Sequence, residues 1–187
     1  MKNNKKGRLF VISAPSGAGK GTIIQRLIEL RPKLAYSVSA TTRAPRDGEV
    51  EGVSYYFITR EKFKEMVGRG EFLECAEYIG EFYGTPKKPI LDCVENGGDI
   101  LLEIEVQGAR QVMAIAPEAV TIFIIPPSIE ELERRLRGRR TESEEKLAAR
   151  LERARKELKE QIYYGHVIVN DDITRAVGEI LSIIDSR

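Results

Sequence analysis

Residues 8–28 read Arg8-Leu-Phe-Val-Ile-Ser13, then Ala14-Pro-Ser-Gly-Ala-Gly-Lys20-Gly21-Thr22, then Ile23-Ile-Gln-Arg-Leu-Ile28. An apolar run, a glycine-rich turn and an amphipathic run in this order predict a buried strand, a phosphate-binding loop and a helix. The N–H groups of such a turn form a nest for anions, and the helix N-terminus adds its dipole and unpaired N–H groups. The stretch therefore predicts a site for a nucleoside triphosphate, with Lys20 at the outer phosphates.

The loop departs from the usual G-x-x-x-x-G-K-[ST] pattern at two places. Ala14 stands where the first glycine is usual, and Gly21 stands where a hydroxyl usually meets magnesium. Thr22 comes one position later, so either Thr22 or a water molecule fills that position. An ordinary strand, turn and helix is the plain alternative, but the register of the glycines and the lysine after the strand favours phosphate binding.

The composition indicates one globular domain over residues 1–187 with a sizeable core. The chain is 42% hydrophobic and has a net charge of +1, which predicts neither a nucleic-acid nor a membrane partner. Cys75 and Cys93 are not in a C-x-x-C spacing and are interpreted as reduced thiols. Because no signal peptide or membrane-spanning run is recognised, we expect a cytoplasmic protein; its oligomeric state is not readable from the sequence.

Alternating apolar and amphipathic segments predict an α/β fold with a parallel sheet. The expected buried strands are Leu9–Ile12, Ile100–Val106, Val120–Ile125 and Val167–Val169. The expected helices are 20–30, 107–115, 128–137, 142–163 and 172–185. The stretch 36–84 is predicted to be an inserted, mostly β segment, with strands over Tyr36–Ser39, Ser54–Ile58 and Phe72–Tyr78 and a helix near 60–68.

Two arginine-bearing segments are candidates for phosphate binding. Arg43 and Arg46 follow a cluster of hydroxyl residues and precede Tyr55, and arginine forks match phosphate oxygens in bidentate fashion. The basic run 134–140 joins two predicted helices. It is interpreted as a solvated helix face, a nucleic-acid patch or a mobile lid that carries arginines to the phosphates.

Taken in order along the chain, the motifs resemble those of guanylate kinases, the ATP:GMP phosphotransferases, from about residue 8 to residue 185. These motifs are Ala14-Pro-Ser-Gly-Ala-Gly-Lys20, Ser39-Ala-Thr-Thr-Arg43-Ala-Pro-Arg46, Tyr83-Gly84-Thr85, Glu105-Val-Gln107-Gly108, Pro126-Pro127-Ser128 and Val169-Asn170-Asp171-Asp172. The resemblance implies the P-loop nucleoside-monophosphate-kinase fold, with a parallel central sheet, helices on both faces, an inserted mixed β GMP-binding sub-domain and a helical lid. The implied sub-domains are a core (8–35, 86–126 and 165–187), a GMP-binding insertion (36–85) and a lid with its flanking helices (127–164).

The resemblance also implies roles for individual residues in transfer of a phosphoryl group from ATP to GMP or dGMP, with Mg²⁺ held through phosphates and water. The implied catalytic residues are Lys20, Arg43, Arg139 and Arg150. The implied ATP-binding residues are Ala14, Pro15, Ser16, Gly17, Ala18, Gly19, Lys20, Gly21, Thr22, Asn170 and Asp171, with Thr22 as the candidate metal ligand. The implied GMP-binding residues are Ser39, Arg43, Arg46, Tyr55, Glu74, Tyr83, Thr85, Glu103 and Glu105. A non-catalytic guanylate-kinase-like binding module remains the alternative function.

Guanine chemistry agrees with a carboxylate at residue 74, but the local pattern by itself favours a solvated position on an amphipathic strand, and only the register of the resemblance selects Glu74. Guanine presents N1–H and N2–H₂ as donors, and a carboxylate accepts both, whereas adenine N1 is itself an acceptor. Glu103 and Glu105 are two positions apart on a predicted strand, so we expect both on one face, near the nucleotide end of the sheet. The family's usual pattern there is Asp-Ile-Asp, which leaves the detailed geometry of the two glutamates open.

Overall fold

A computed structural model of the chain describes residues 6–78, 80–138 and 144–186. One sheet has five strands in the order β2-β7-β1-β8-β9. These strands are β1 (Leu9–Ser13), β2 (Ala35–Tyr36), β7 (Ile100–Glu103), β8 (Val120–Ile125) and β9 (His166–Val169). β2 pairs with β7, β1 with β8 and β8 with β9, all in parallel. The predicted α/β class with a parallel sheet is confirmed.

A second, four-stranded sheet has the order β4-β3-β6-β5. Its strands are β3 (Ala40–Thr41), β4 (Tyr56–Phe57), β5 (Phe72–Tyr78) and β6 (Glu81–Pro86). β3 is parallel to β4, whereas β6 is antiparallel to both β3 and β5. The predicted β-rich insertion thus contains a mixed sheet.

Helices follow most of the strands, and side-chain caps fix where several of them begin. The helices are α1 (Lys20–Leu30), α2 (Arg60–Gly68), α3 (Lys87–Glu95), α4 (Val106–Ile115), α5 (Ile129–Arg137), α6 (Glu144–Leu158) and α7 (Ile173–Asp185), with a 3₁₀ turn over Lys159–Tyr163. Ser128 Oγ accepts a hydrogen bond from the N–H of Glu131 at 3.1 Å, as an N-cap hydroxyl does. Asp172 caps α7 in the same way through the N–H of Arg175. Among the described helices, none is long and apolar enough to cross a bilayer.

Contacts along the chain group it into two compact units. The first contains Met1–Leu9, Lys33–Leu102 and Gln107–Ala119. Its core includes Phe63, whose ring stacks on those of Phe72 and Phe82 at centroid distances of 4.6 and 5.4 Å. Offset aromatic packing of this kind stabilises a small sheet beyond the area that it buries.

The second unit contains Phe10–Pro32, Glu103–Val106 and Val120–Arg187. All five residues of β1 are buried, and so are the central residues of β8. Because both faces of these parallel strands are covered, their sequences are continuously apolar rather than alternating. This explains why β1 and β8 were correctly predicted from composition alone.

Several predicted boundaries are wrong. Of the strand expected over Tyr36–Ser39, only Tyr36 lies in a strand, β2 of the parallel sheet; residues 37–39 belong to no strand, and β3 of the second sheet begins at Ala40. The strand expected over Ile100–Val106 ends at Glu103, because the chain turns there and α4 begins at Val106. The long helix expected over 142–163 becomes α6 and a 3₁₀ turn; residues 142 and 143 lie outside the described part of the chain.

Candidate active site

The loop between β1 and α1 has the geometry that a phosphate nest requires. Gly17 and Gly19 have φ angles of 91° and 90°, in the left-handed region that glycine adopts without strain. Gly19 is the N-cap of α1, so Lys20 begins the helix. A Cβ at Gly17 would lie 2.8 Å from Leu136 of α5, so packing also requires glycine there. Backbone N–H groups of this loop stand at a helix N-terminus, where they can bind phosphate.

The remaining loop residues differ in exposure. Ala14, Pro15 and Ala18 are buried, so they shape the loop through their backbone. Gly21 and Thr22 are exposed on the first turn of α1, and nothing described lies within 4 Å of a Cβ built at Gly21. The hydroxyl of Thr22 is therefore accessible at the place where the loop departs from the usual pattern.

Lys20 is held by the segment that follows β7. Its Nζ donates to the carbonyl oxygen of Ile104 at 3.1 Å and lies 3.8 Å from Glu103 Oε1 and 3.6 Å from Glu105 Oε1. The two glutamates do not share one face of a strand as expected, because Glu103 ends β7 and Glu105 lies beyond it, just before α4. The structure nevertheless brings both carboxylates to the same lysine.

Helix α6 contacts the loop through two charged side chains. Arg150 Nη2 donates to Ser16 Oγ at 2.7 Å, which places this predicted catalytic arginine at the nest. Glu157 Oε2 accepts from the N–H of Ser16 at 3.4 Å, and its Oε1 accepts from Arg153 Nε at 2.7 Å. Glu157 is buried. Arg139, the other predicted arginine of the lid, lies outside the described residues.

The end of β9 also supports the loop. Asn170 is buried, and its Nδ2 donates to the carbonyl oxygen of Ala18 at 2.7 Å. Arg135 Nη2 donates to the carbonyl oxygen of Asn170 at 2.9 Å, and its Nη1 donates to that of Ala18 at 3.4 Å. Asp171, in contrast, is exposed and pairs with Arg175 of α7. Of the two residues expected at adenine, Asn170 fixes the loop and Asp171 is part of the turn before α7.

The predicted GMP phosphate site centres on Arg43 in the first unit. Glu49 accepts from both terminal nitrogens of Arg43, at 2.9 and 2.8 Å, and from the N–H of Arg46 at 2.8 Å. Together the Arg43 guanidinium and the Arg46 N–H lower the pKa of Glu49 to about 2. The hydrogen bonds that Arg43 donates to Glu49 raise the pKa of Arg43, and the hydroxyl of Tyr83 acts in the same direction.

Aromatic rings surround the same guanidinium. The Cζ atom of Arg43 lies 5.4 Å from the ring centroid of Tyr55 and 5.9 Å from that of Phe57, within the range of cation–π attraction. The ring of Tyr83 packs edge-on against that of Tyr55, with centroids 6.0 Å apart. Arg43, Tyr55 and Tyr83 are therefore brought together as predicted, while the side chain of Arg46 is exposed.

A second group in the first unit contains the predicted guanine contacts. Glu74 of β5 is opposite Thr85 of β6, and Ala40 is opposite Gly84; Ser39 comes directly before Ala40 in the chain. Thr85 Oγ1 donates to Glu74 Oε1 at 2.6 Å, and both residues are buried. Burial raises the pKa of Glu74, and the hydrogen bond from Thr85 opposes this rise.

Comparison with known proteins gives one consistent result. A family model described as "Guanylate kinase" matches residues 6–187. The chain belongs to the guanylate kinase family. A guanylate kinase of Trichormus variabilis is 53% identical over 178 residues, which is 95% of this chain and 89% of the relative. One of Clostridioides difficile is 52% identical over 183 residues, 98% of this chain and 89% of the relative.

A solved structure supports the same assignment. The crystal structure of guanylate kinase from Anaplasma phagocytophilum superposes with a TM-score of 0.80 and 40% identity, covering 96% of this chain and 85% of that one. The fold implied by the resemblance is therefore the fold of this family member.

Three charged residues of the two site regions were missed from the sequence. Glu49 accepts hydrogen bonds from Arg43 and Arg46 of its own segment, and Glu157 accepts from Arg153 of its own helix and from the N–H of Ser16 in the loop. Nothing in the sequence distinguishes these two glutamates from the many others in the chain. Arg135 lies within the basic run 134–140. The sequence marks this run as a candidate, but nothing in it distinguishes Arg135 from the other arginines.

Proposed function

We propose that this guanylate kinase transfers the γ-phosphoryl group of ATP to the phosphate of GMP, giving ADP and GDP. The observation that carries the choice of GMP is the buried carboxylate of Glu74, held by Thr85 in the same compact unit as Arg43. An ionised carboxylate accepts from N1–H and N2–H₂ of guanine together, and adenine leaves the buried anion facing a lone pair. Ser39 and Thr85 complete the polar contacts of the base.

Phosphate binding is divided between the two units. In our proposal Arg43, Arg46, Tyr55 and Tyr83 bind the phosphate of GMP, because guanidinium and phenol donors match its oxygens. The loop residues 14–22 bind ATP through backbone N–H groups, and Lys20 and Arg150 bind its outer phosphates. Arg139, which the structure does not describe, is proposed as a further phosphate ligand on resemblance alone.

Catalysis of this reaction requires alignment and charge stabilisation. The attacking oxygen of GMP is already ionised, so the proposed mechanism uses no general base. Fixed positive groups that surround the moving phosphoryl group stabilise the charge of the transition state. We propose that the lid segment 127–164 closes over ATP and the insertion 36–85 over GMP, because closure excludes the water that would otherwise attack ATP.

The residues near Lys20 fit a magnesium ion that arrives with ATP. Carboxylates and hydroxyls are the ligand types that Mg²⁺ prefers, and the ion retains several waters. Thr22, exposed on the first turn of α1, and Glu103 and Glu105, beside Lys20, offer such oxygens directly or through water. In the described part of the chain, no cluster of three or more His, Cys, Asp or Glu side chains could hold a metal by itself. Magnesium bound to the phosphates neutralises charge on the β- and γ-groups.

An assay that couples ADP release to a signal tests substrate and enzyme status together. With ATP and Mg²⁺, we expect turnover of GMP and dGMP and little turnover of AMP, CMP or UMP. Turnover of AMP as fast as that of GMP would contradict the role given to Glu74. No observation on the described residues favours the non-catalytic binding module. We also propose a cytoplasmic location, since ATP and GMP are supplied there.

The lysine of the loop gives the sharpest single test of the ATP site. Lys20→Ala removes the cation that we assign to the outer phosphates, and we expect kcat to fall by ~10² or more, as loss of one transition-state charge contact can cause. Arg26→Ala, on an exposed face of the same helix, is the control and should retain kcat. A Lys20→Ala enzyme with near-normal kcat would remove this residue from the mechanism.

A further inference from the structure

Glu49 contacts the arginine that we assign to the phosphate of GMP. It lies in the segment between β3 and β4 and forms a bidentate ion pair with Arg43 at 2.9 and 2.8 Å. The two side chains are 21% and 14% exposed, so solvent screens this pair less than a surface pair. The geometry of the pair determines which N–H groups of Arg43 are left for a ligand.

A guanidinium has five N–H donors and two edges that can each bind an anion in bidentate fashion. One edge consists of Nη1 and Nη2, and Glu49 occupies it. The other N–H of Nη1 donates to the carbonyl oxygen of Ala44 at 2.7 Å. Nε of Arg43 is buried and has no hydrogen-bond partner among the described residues. The edge formed by Nε and Nη2 is therefore the edge that neither Glu49 nor the carbonyl of Ala44 occupies.

Neighbouring groups fix the guanidinium in this orientation. The rings of Tyr55 and Phe57 pack against it, and the N–H of Arg46 holds Glu49 Oε2 at 2.8 Å. Glu49 is thus held at both ends of the contact, by the guanidinium of Arg43 and by the backbone of its own segment.

We propose that Glu49 is a positioning residue for GMP: it holds Arg43 by the Nη1/Nη2 edge so that the Nε/Nη2 edge faces the phosphate. This inference rests on the proposed function, because it assumes that Arg43 binds the phosphate of GMP. It assigns no new contact with substrate to Glu49 itself. Its consequence is that loss of a negative charge should weaken the binding of an anionic ligand, which is the opposite of what Coulomb repulsion alone predicts.

Calorimetric titration of the full-length protein with GMP and, separately, with guanosine tests the proposal. For Glu49→Ala we expect the Kd of GMP to rise about tenfold or more, the effect of disordering a charge-assisted hydrogen-bonded fork. The Kd of guanosine should not change, because guanosine has no phosphate. Asp47→Asn is the matched control: it removes the same charge from an exposed position of the same segment and should leave both Kd values unchanged.

Two further variants separate positioning from a general effect on folding. Glu49→Gln keeps one acceptor for Arg43 and should give an intermediate Kd for GMP; it also serves if Glu49→Ala does not fold. In an Arg43→Met background, Glu49→Ala should weaken GMP binding no further, because its effect passes through Arg43.

Three outcomes would each overturn the proposal. The Glu49→Ala variant could bind GMP as tightly as wild type or more tightly, or it could lose affinity for guanosine to the same extent as for GMP. In the double variant, the effects of Arg43→Met and Glu49→Ala on the Kd of GMP could add. Failure of the wild-type protein to bind GMP would overturn the proposed function, and this inference with it. If the wild-type protein binds GMP and the Glu49→Ala variant binds it with the same Kd, the inference alone would be overturned.

Discussion

Gly108→Ala is expected to damage guanine recognition without damaging the fold. Gly108 lies in α4, and a Cβ built there would be 2.3 Å from Glu74 Oε2 and 2.9 Å from its Cδ. Ordinary contact begins at 3.4 Å, so the added methyl group must displace the carboxylate by about 1 Å, an error of the size that disables well-aligned sites. The displaced group cannot keep both its 2.6 Å hydrogen bond from Thr85 and its orientation.

The size of the effect follows from the bonds that guanine donates to Glu74. A hydrogen bond to a charged group contributes roughly 1.5–3 kcal/mol, so misalignment of one such bond should raise the KM for GMP by about 10- to 100-fold. Stability changes less, because alanine is better than glycine in a helix by about 1 kcal/mol and this gain offsets part of the cost of moving a buried carboxylate. Steady-state kinetics should show an increased KM for GMP and an unchanged KM for ATP.

Gly178→Ala provides the control for this substitution. Gly178 lies in α7, and nothing described lies within 4 Å of a Cβ built there, so alanine should stabilise the protein by about 0.5–1 kcal/mol and leave both KM values as they are. A Gly108→Ala enzyme whose KM for GMP stays within about twofold of wild type, too small a change for a lost charge-assisted hydrogen bond, would show that guanine does not use the observed position of Glu74.

Three other substitutions or conditions test separate contacts. Asn170→Ala removes a buried 2.7 Å hydrogen bond to the carbonyl oxygen of Ala18; we expect a loss of about 1–3 kcal/mol in the free energy of unfolding and a higher KM for ATP only, measured by denaturant titration and kinetics. Thr85→Val removes the hydrogen bond that lowers the pKa of Glu74, so that pKa should rise and the acid limb of the pH profile of kcat/KM for GMP should move to higher pH; an unmoved limb would exclude Glu74 as its source. The folded-state pKa of Glu49 is about 2, below its ordinary value of 4.5, so its ion pair contributes stability above pH 4.5 that is lost as the pH falls toward 2. The difference in Tm between wild type and Glu49→Gln should accordingly shrink between about pH 6 and pH 3, and a constant difference would contradict this origin.

Elements with strong periodicity or continuous burial were predictable from the sequence. β5 and α2 were predicted closely because each is long enough for a period of two or 3.6 residues to be recognised. β4 was predicted with wider bounds, since only Tyr56–Phe57 of the expected strand Ser54–Ile58 pairs in the sheet. β3 has two residues, too few for any period, and its existence depends on pairing with distant strands. α3 is absent from the helices expected from the sequence; Pro89 lies in its first turn, where proline is tolerated.

In the site, too, the features that depend on local contacts were predictable from the sequence, and those that depend on long-range contacts were not. The phosphate loop is local, since strand, turn and helix are consecutive, and its geometry follows from the glycines. The function of the basic run 134–140 could not be predicted from its sequence, because its arginines have different roles. Arg134 pairs with Glu131 and Arg137 with Glu133 on exposed surface, as a solvated face predicts, whereas Arg135 reaches Asn170 across 35 positions of sequence.

In both units, carboxylates of the chain already hold the groups that we assign to phosphate. Lys20 lies beside Glu103 and Glu105, and Arg43 is paired with Glu49. Clustered cations without such partners would repel one another and lower the stability of the protein before ligand binds, so the pairs favour a fixed arrangement of cations in the ligand-free state. They also explain how a chain that binds two polyanions can have a net charge of only +1. Affinity for phosphate then depends on which N–H groups the internal carboxylates leave available, and the composition of the chain does not reveal this.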